Sequence, residues 1–322
     1  MKNNNPVISI CIPTYNRDNI LRENMERLLV LPSFDDDVEL VVSDNASTDS
    51  TSSIVRELCA KYPDKSIIYS CNSENIRDLN FLKVLSLGHG TYLKLLNDYT
   101  SFSDADLRMM KEKIRSIEHD EGHSLFFFQD IKNMKRGMTE ICVSDVNQLV
   151  RTLNNKMTWI SNFGCFHRQL PSLYSFQDRS RFMILQMMWL LYLTETSRVT
   201  TLVNITSYRC IEVESNKRTP YHFFTPHVVN YYDVLDSYVK RGLISKSTIR
   251  KDKGRLLKDF VGRGIKDYLF RKKECNFELS GSWGIIWKYF HATPYFYVIL
   301  LKGSFHATKR YIINICHAFI KG

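Results

Sequence analysis

The first hundred residues alternate between short β-rich apolar runs and amphipathic helical stretches, and this alternation limits the possible folds more than any other feature of the chain. Strand-like runs lie at residues 7–12, 38–43, 66–70 and 92–96, spaced by about 30 residues, the length of a β-α-β unit. Between them Leu21, Met25, Leu28 and Leu29, then Ile54, Val55 and Leu58, then Leu82, Val84, Leu85 and Leu87 recur at helical spacing. Pro13 stops the first strand. Asp18 or Asn19 can cap the first helix, Ser47, Thr48 or Asp49 can cap the second, and Gly88 and Gly90 end the third. Repeats of this kind predict an α/β fold with a mainly parallel sheet.

In such a sheet the carboxyl ends of the strands share one edge, and that edge is where ligands bind. Each strand here ends in polar residues: Thr14, Tyr15, Asn16 and Arg17 after the first, Asp44 and Asn45 after the second, Asn72 to Asn75 after the third, Asn97 and Asp98 after the fourth. A single strand that ends in Asn-Asp is an ordinary turn. Four converging clusters with two strand-end aspartates predict a crevice instead. A carboxylate there can hold a divalent metal, and the metal can hold a diphosphate.

These residues carry a resemblance. The stretch from Ser9 to Arg17 resembles the opening strand of family-2 glycosyltransferases, and the stretch from Val41 to Asp49 resembles their second motif. Asn75 to Asn80, followed by Gly88 to Asp98, is similar to their third helix and the strand that leads into the DXD motif. A weaker likeness runs from Ser207, Tyr208 and Arg209 to Ser215 and Asn216, and O-antigen and capsule sugar transferases look most similar. The resemblance implies a GT-A fold, a nucleotide-diphosphate sugar donor and transfer of a hexosyl or related sugar. It implies that Thr14, Tyr15, Asn16 and Arg17 line the nucleobase and ribose pocket. Asp44 would accept a hydrogen bond from the base beside Asn45, Arg77 would reach the nucleotide, and Asp98 would face the ribose or a metal. Trp159 to Arg168 resembles the family's acceptor side, where Asn162 and His167 would touch sugar hydroxyls.

Two departures bear on the chemistry. Where relatives carry a run of acids, this chain reads Asn97, Asp98, Tyr99, Thr100. The acid that usually binds Mg or Mn is Thr100, and a neutral hydroxyl is a poor substitute. Asp104 and Asp106 imitate a DXD motif, but Ser103 or Asp104 reads better as a helix cap. The acceptor-deprotonating base is a carboxylate in inverting relatives. The corresponding helix, expected over residues 180–190, offers Gln186, with Asp178 the nearest acid ahead of it and Glu195 and Glu212 less well placed. His222 and His227 are further metal-ligand candidates, although a lone His is usually structural.

The charge is uneven. From residue 231 onward there are 18 Lys and Arg against 7 Asp and Glu, so the net +10 of the chain resides in its last third. There Leu256, Leu257, Phe260, Val261, Ile265 and Leu269 alternate with basic residues, and Trp283, Trp287 and Tyr295 to Tyr297 add aromatics. Lys288, His291 and Lys302 interrupt any span of about 20 apolar residues. The expected division is a GT-A catalytic domain at 1–228 and a basic amphipathic helical region at 229–322 that meets an anionic membrane surface. None of the eight cysteines forms a Cys-x-x-Cys pair, and the N-terminus reads as a strand without a signal peptide. The expectation is a cytoplasmic enzyme, peripheral at the inner face of the membrane, that acts on a glycan or lipid-linked acceptor. The alternatives are a catalytically weak or inactive sugar-nucleotide binder of the same fold, and a basic nucleic-acid-binding protein. No RNA or DNA module is recognisable, so no nucleic acid is expected.

Overall fold

The structure is a computed structural model. It describes all residues except 1–4, 132, 133, 135, 136, 207, 213–220 and 304–322. Two compact units divide between Lys217 and Arg218, where the sequence reading set the boundary at residue 228.

In the first unit, β1 (Ile8–Thr14), α1 (Asp18–Leu29), β2 (Val38–Asp44), α2 (Thr51–Lys61), β3 (Ser66–Cys71), α3 (Leu79–Ser86) and β4 (Tyr92–Leu95) follow the predicted alternation. Next come β5 (Thr100–Ser101), α4 (Asp104–Ile117), β6 (His123–Gln129), β7 (Glu140–Val143), α5 (Val146–Leu153), β8 (Gly164–Phe166), α6 (Leu170–Leu173), α7 (Leu185–Thr196), β9 (Val199–Ile205) and β10 (Arg209–Cys210). The main sheet has the order β3-β2-β1-β4-β8, parallel except for β8. A smaller sheet β6-β9-β7 and the antiparallel pair β10-β5 complete the strands. Every residue of β1 and β2 is buried, as expected of strands covered on both faces. The core beneath them includes Ile10, Ile12, Leu40, Val42, Leu21, Leu28 and Phe127.

The amino end of the sheet is held by one buried carboxylate. Glu39 accepts from Ser9 Oγ at 2.6 Å and from the Gly90 amide at 3.2 Å. A Cβ on Gly90 would lie 2.6 Å from the Ser9 backbone nitrogen, so only glycine allows this approach. The opposite, carboxyl end is level across strands. Thr14 pairs with Asp44, and Asp44 with Cys71. Cys11 pairs with Leu95, so Thr14 and Asp98 each lie three residues beyond paired positions.

Several local expectations change. The helix expected over 180–190 is two elements, a 3₁₀ helix Tyr174–Phe182 and then α7. Met183 between them takes a left-handed φ of 57° and ends the first. Ser103 caps α4 with a full capping box to Asp106, so that acid belongs to the helix start and not to a DXD motif. Of the Ser207 to Asn216 likeness, residues 207 and 213–216 lie outside the described residues.

The second unit contains α8 (Tyr231–Lys240), α9 (Lys246–Leu256), α10 (Gly262–Gly264), α11 (Ser282–Phe290) and α12 (294–303). Wider π turns at Leu257–Val261 and Ile265–Phe270 flank α10. His227 is half-buried here, its imidazole pulled down to about 4 by burial, and its ring packs against Phe223 and Phe260 rather than against other metal-ligating groups. No described helix is long and apolar enough to cross a membrane.

Candidate functional site

The carboxyl edge of β1, β2, β3 and β4 is where the polar loops meet. Thr14 Oγ1 donates to Asp98 Oδ2 at 3.0 Å, and Arg17 Nη1 donates to Asp98 Oδ1 at 2.7 Å. The Arg17 guanidinium also lies 5.7 Å from the centre of the Tyr99 ring. Asp98 is 3% exposed. Burial raises its carboxyl above the usual range, and Arg17 and Thr14 offset this only in part.

Asp44 is fully buried and engaged twice. Its Oδ1 accepts the Ser47 amide at 2.9 Å and its Oδ2 accepts the Tyr69 hydroxyl at 2.8 Å. Asn45 ties the third loop to the second: its Nδ2 donates to Asn75 Oδ1 at 2.8 Å, and its Oδ1 accepts the Ile76 amide at 2.9 Å. Asn16 joins the first loop to the second through the Ser47 hydroxyl and the Thr48 amide, both at 2.8 Å. Tyr15 is 37% exposed at the rim. Asn16, Ala46 and Arg77 all have left-handed φ, 51°, 63° and 52°. For residues other than glycine this costs of order 1–3 kcal/mol each. The strain sits in three successive loops at one edge of the sheet. Arg77 is exposed there, and the half-buried Asp78 beside it is pushed up to about 6 by burial, with Arg77 acting against the shift.

The segment around Ser161 is fastened to β4 by residues that the sequence reading did not single out. Ser161 Oγ accepts both the amide and the side chain of Asn97, each at 2.9 Å. The Ser161 carbonyl accepts from Lys94 and from the Tyr208 hydroxyl. Lys94 is fully buried and reaches the Leu95 and Phe163 carbonyls as well, at 3.2 Å each. Asn162 and Gln186 both donate to carbonyls of the 3₁₀ helix Asn154–Thr158, and their amide oxygens are buried without a partner.

One expected site residue, His167, is not brought to this edge. β8 runs antiparallel to β4, so Phe166 pairs with Tyr92 and the His167 amide donates to the Thr91 carbonyl. His167 is therefore at the amino end of β4, roughly 20 Å from Asp98 at 3.3 Å per residue. Asp178 is exposed on the 3₁₀ helix Tyr174–Phe182, ahead of α7 rather than on it.

The residues present do not make up a resident metal site. Both Asp98 oxygens are taken by Thr14 and Arg17. Thr100 is buried in the β5–β10 pair, its hydroxyl 3.8 Å from Cys210 Sγ. Among the described residues no group of three or more His, Cys, Asp or Glu could hold a metal ion.

Comparison with known proteins agrees with this architecture. Residues 9–120 match the family described as Glycosyl transferase family 2. The chain is 35% identical over 111 residues to abequosyltransferase RfbV of Salmonella typhimurium, which is 34% of this chain and 33% of that protein. It is 45% identical over 51 residues to validoxylamine A glucosyltransferase of Streptomyces hygroscopicus subsp. limoneus, 16% and 11% of the two chains. The chain thus spans a third or less of the length of these curated relatives. Among solved structures, S. aureus TarS 1-349 in complex with UDP superposes with a TM-score of 0.53 at 14% identity, over 80% of this chain and 74% of that one. Residues 9–120 are thus similar to glycosyl transferase family 2, and the chain has an α/β fold of GT-A type with a helical region after it.

Proposed function

We propose that the protein transfers a sugar from a nucleotide-diphosphate donor to a growing surface glycan, carried on a lipid at the inner face of the membrane. The observation that supports this most is the contact of Thr14 and Arg17 with buried Asp98, level with Asp44 on the same sheet edge. The base and ribose would lie over Asp44, Asn45 and the loop from Thr14 to Arg17. The leaving diphosphate gains negative charge as the anomeric carbon becomes positive, and preorganised cationic groups at that point lower the barrier. Arg17, and Arg77 from the exposed third loop, are the cations of this edge. The O-antigen context is supported by the likeness to an abequosyltransferase over 111 residues.

With both Asp98 oxygens engaged by Thr14 and Arg17, donor binding should depend little on added metal. Asp178 remains the proposed acceptor base, on resemblance alone. The catalytically weak sugar-nucleotide binder is the second reading, favoured by Thr100 in place of the usual acid.

A thermal-shift panel of UDP-, GDP-, CDP- and dTDP-sugars, each with and without Mn²⁺, tests the donor reading. A ligand at 100 times its dissociation constant adds about 2.7 kcal/mol of stability. One nucleotide should stand out, with little dependence on metal; no response to any of them would remove the donor site. Product formation with a lipid-linked acceptor separates the transferase from the binder. Asp44→Asn keeps an oxygen for the Ser47 amide and removes the charge. Donor affinity should fall by about 1.5–3 kcal/mol, the worth of a charge-assisted hydrogen bond. Unchanged affinity by calorimetry would take Asp44 out of the pocket.

A further inference from the structure

The second unit turns apolar side chains outward on two successive helices. On α11 the inward positions are Ser282, Ile286 and Phe290, while Trp283 and Trp287, one turn apart, are 45% and 55% exposed. On α12 Phe296 and Ile299 are buried, while Tyr297 and Val298 are exposed and Leu301 is 74% exposed. Both helices are therefore apolar on the buried side and on the open side, whereas a surface helix of a water-soluble domain is polar outside. The two open faces adjoin: the Trp287 ring is 6.2 Å from that of Phe296, which is 5.4 Å from Tyr297.

Exposed lysines border the patch. Lys288 follows Trp287, Lys302 follows Leu301, and Lys272 lies two residues beyond Phe270, whose ring meets Trp283 at 5.5 Å. Tryptophan and tyrosine beside lysine suit the headgroup layer of a bilayer, where one end of the side chain is apolar and the other wet. α11, nine residues long, is shorter than the roughly 20 residues needed to cross a bilayer.

We propose that the open face of α11 and α12 seats on the surface of a bilayer with anionic headgroups, Trp283, Trp287, Tyr297 and Leu301 entering the interface and the lysines meeting lipid charge. This seat gives the membrane partner of the proposed transferase a defined face, and it can fail independently of donor binding.

The test is vesicle flotation of the full chain, with phosphatidylcholine alone and with roughly 30% phosphatidylglycerol. The wild type should bind the anionic vesicles about tenfold more tightly and weaken as salt rises from about 0.1 M to about 0.5 M. The double variant Trp287→Glu with Leu301→Glu, at exposed positions that do not disturb the core, should lose about tenfold more. Lys288→Glu with Lys302→Glu should lose the preference for anionic lipid. A donor thermal shift on the same samples should be unchanged, which separates this result from any failure of the transferase reading. Equal flotation of the Trp287 and Leu301 variant overturns the proposal. So does a wild type that ignores vesicles but is a dimer that this variant dissociates, since the face would then bind a second copy.

Discussion

Asp98→Asn should fold, melt no lower than the wild type, and turn over donor about 100-fold more slowly or worse, the scale on which a single transition-state electrostatic group acts. The stability half of this follows from burial. Desolvation of the Asp98 carboxylate outweighs the return from Arg17 and Thr14, which is why its carboxyl lies above the usual range. The folded state therefore binds this proton more tightly than the unfolded chain. Stability from this group is full below the ordinary carboxylate pKa and is lost as pH rises through the raised one. Asn is the uncharged analogue, and Arg17, whose side chain is 20% exposed, can turn to water. The melting-temperature advantage of the variant should thus widen from acid to neutral pH. A charge kept at such a cost points to function, in the manner of strain stored at active sites. Undiminished turnover in the folded variant would remove the centre of the proposed site. A large drop in melting temperature would instead make Asp98 a structural member of the ion pair.

The sheet could be read from the sequence because its signals are local. Strand runs, helical spacing and stop residues each occupy a few positions, and β1 through β4 follow from them. The convergence of Thr14, Asp44 and Asp98 also followed, since parallel strands place their carboxyl ends together. His167 shows where this reasoning fails. Its segment enters the same sheet in the opposite direction, and nothing local reports strand direction. The helix bounds near Asp178 were also misread: an apolar stretch looked like one helix, but Met183 in the left-handed region splits it. Lys94 was passed over because a lysine in an apolar strand gives no sign of which carbonyls it will meet. Its partners, Ser161 and Phe163, lie about seventy residues away. Asp78 sat within a quoted motif but drew attention only through Arg77; its burial is a tertiary fact.

Lys94 carries the second large effect. It is fully buried, and desolvation pulls its ammonium down to about 7, while three carbonyls act to keep the proton. An unfolded lysine titrates near 10.4. Between those values the unfolded chain holds more protons than the folded one, so stability should rise with pH, by up to about 1.4 kcal/mol per pH unit. Below pH 7 the amine is charged in both states and this contribution is flat. Lys94→Met approximates the volume and cannot titrate. Denaturant unfolding of the two proteins from pH 6 to pH 10 should give curves whose difference grows through that window and nowhere else, because every other group is shared. Parallel curves would mean that Lys94 stays charged throughout, held by its carbonyls. The same substitution tests the link from strand to acceptor segment. Ser161 keeps the Tyr208 hydroxyl but loses the lysine, and Ser161 is what Asn97, the neighbour of Asp98, is bonded to. Donor affinity should therefore change little in Lys94→Met, while the KM for acceptor rises. That division would identify Lys94 as a positioning residue for the acceptor side and separate its role from a general contribution to folding.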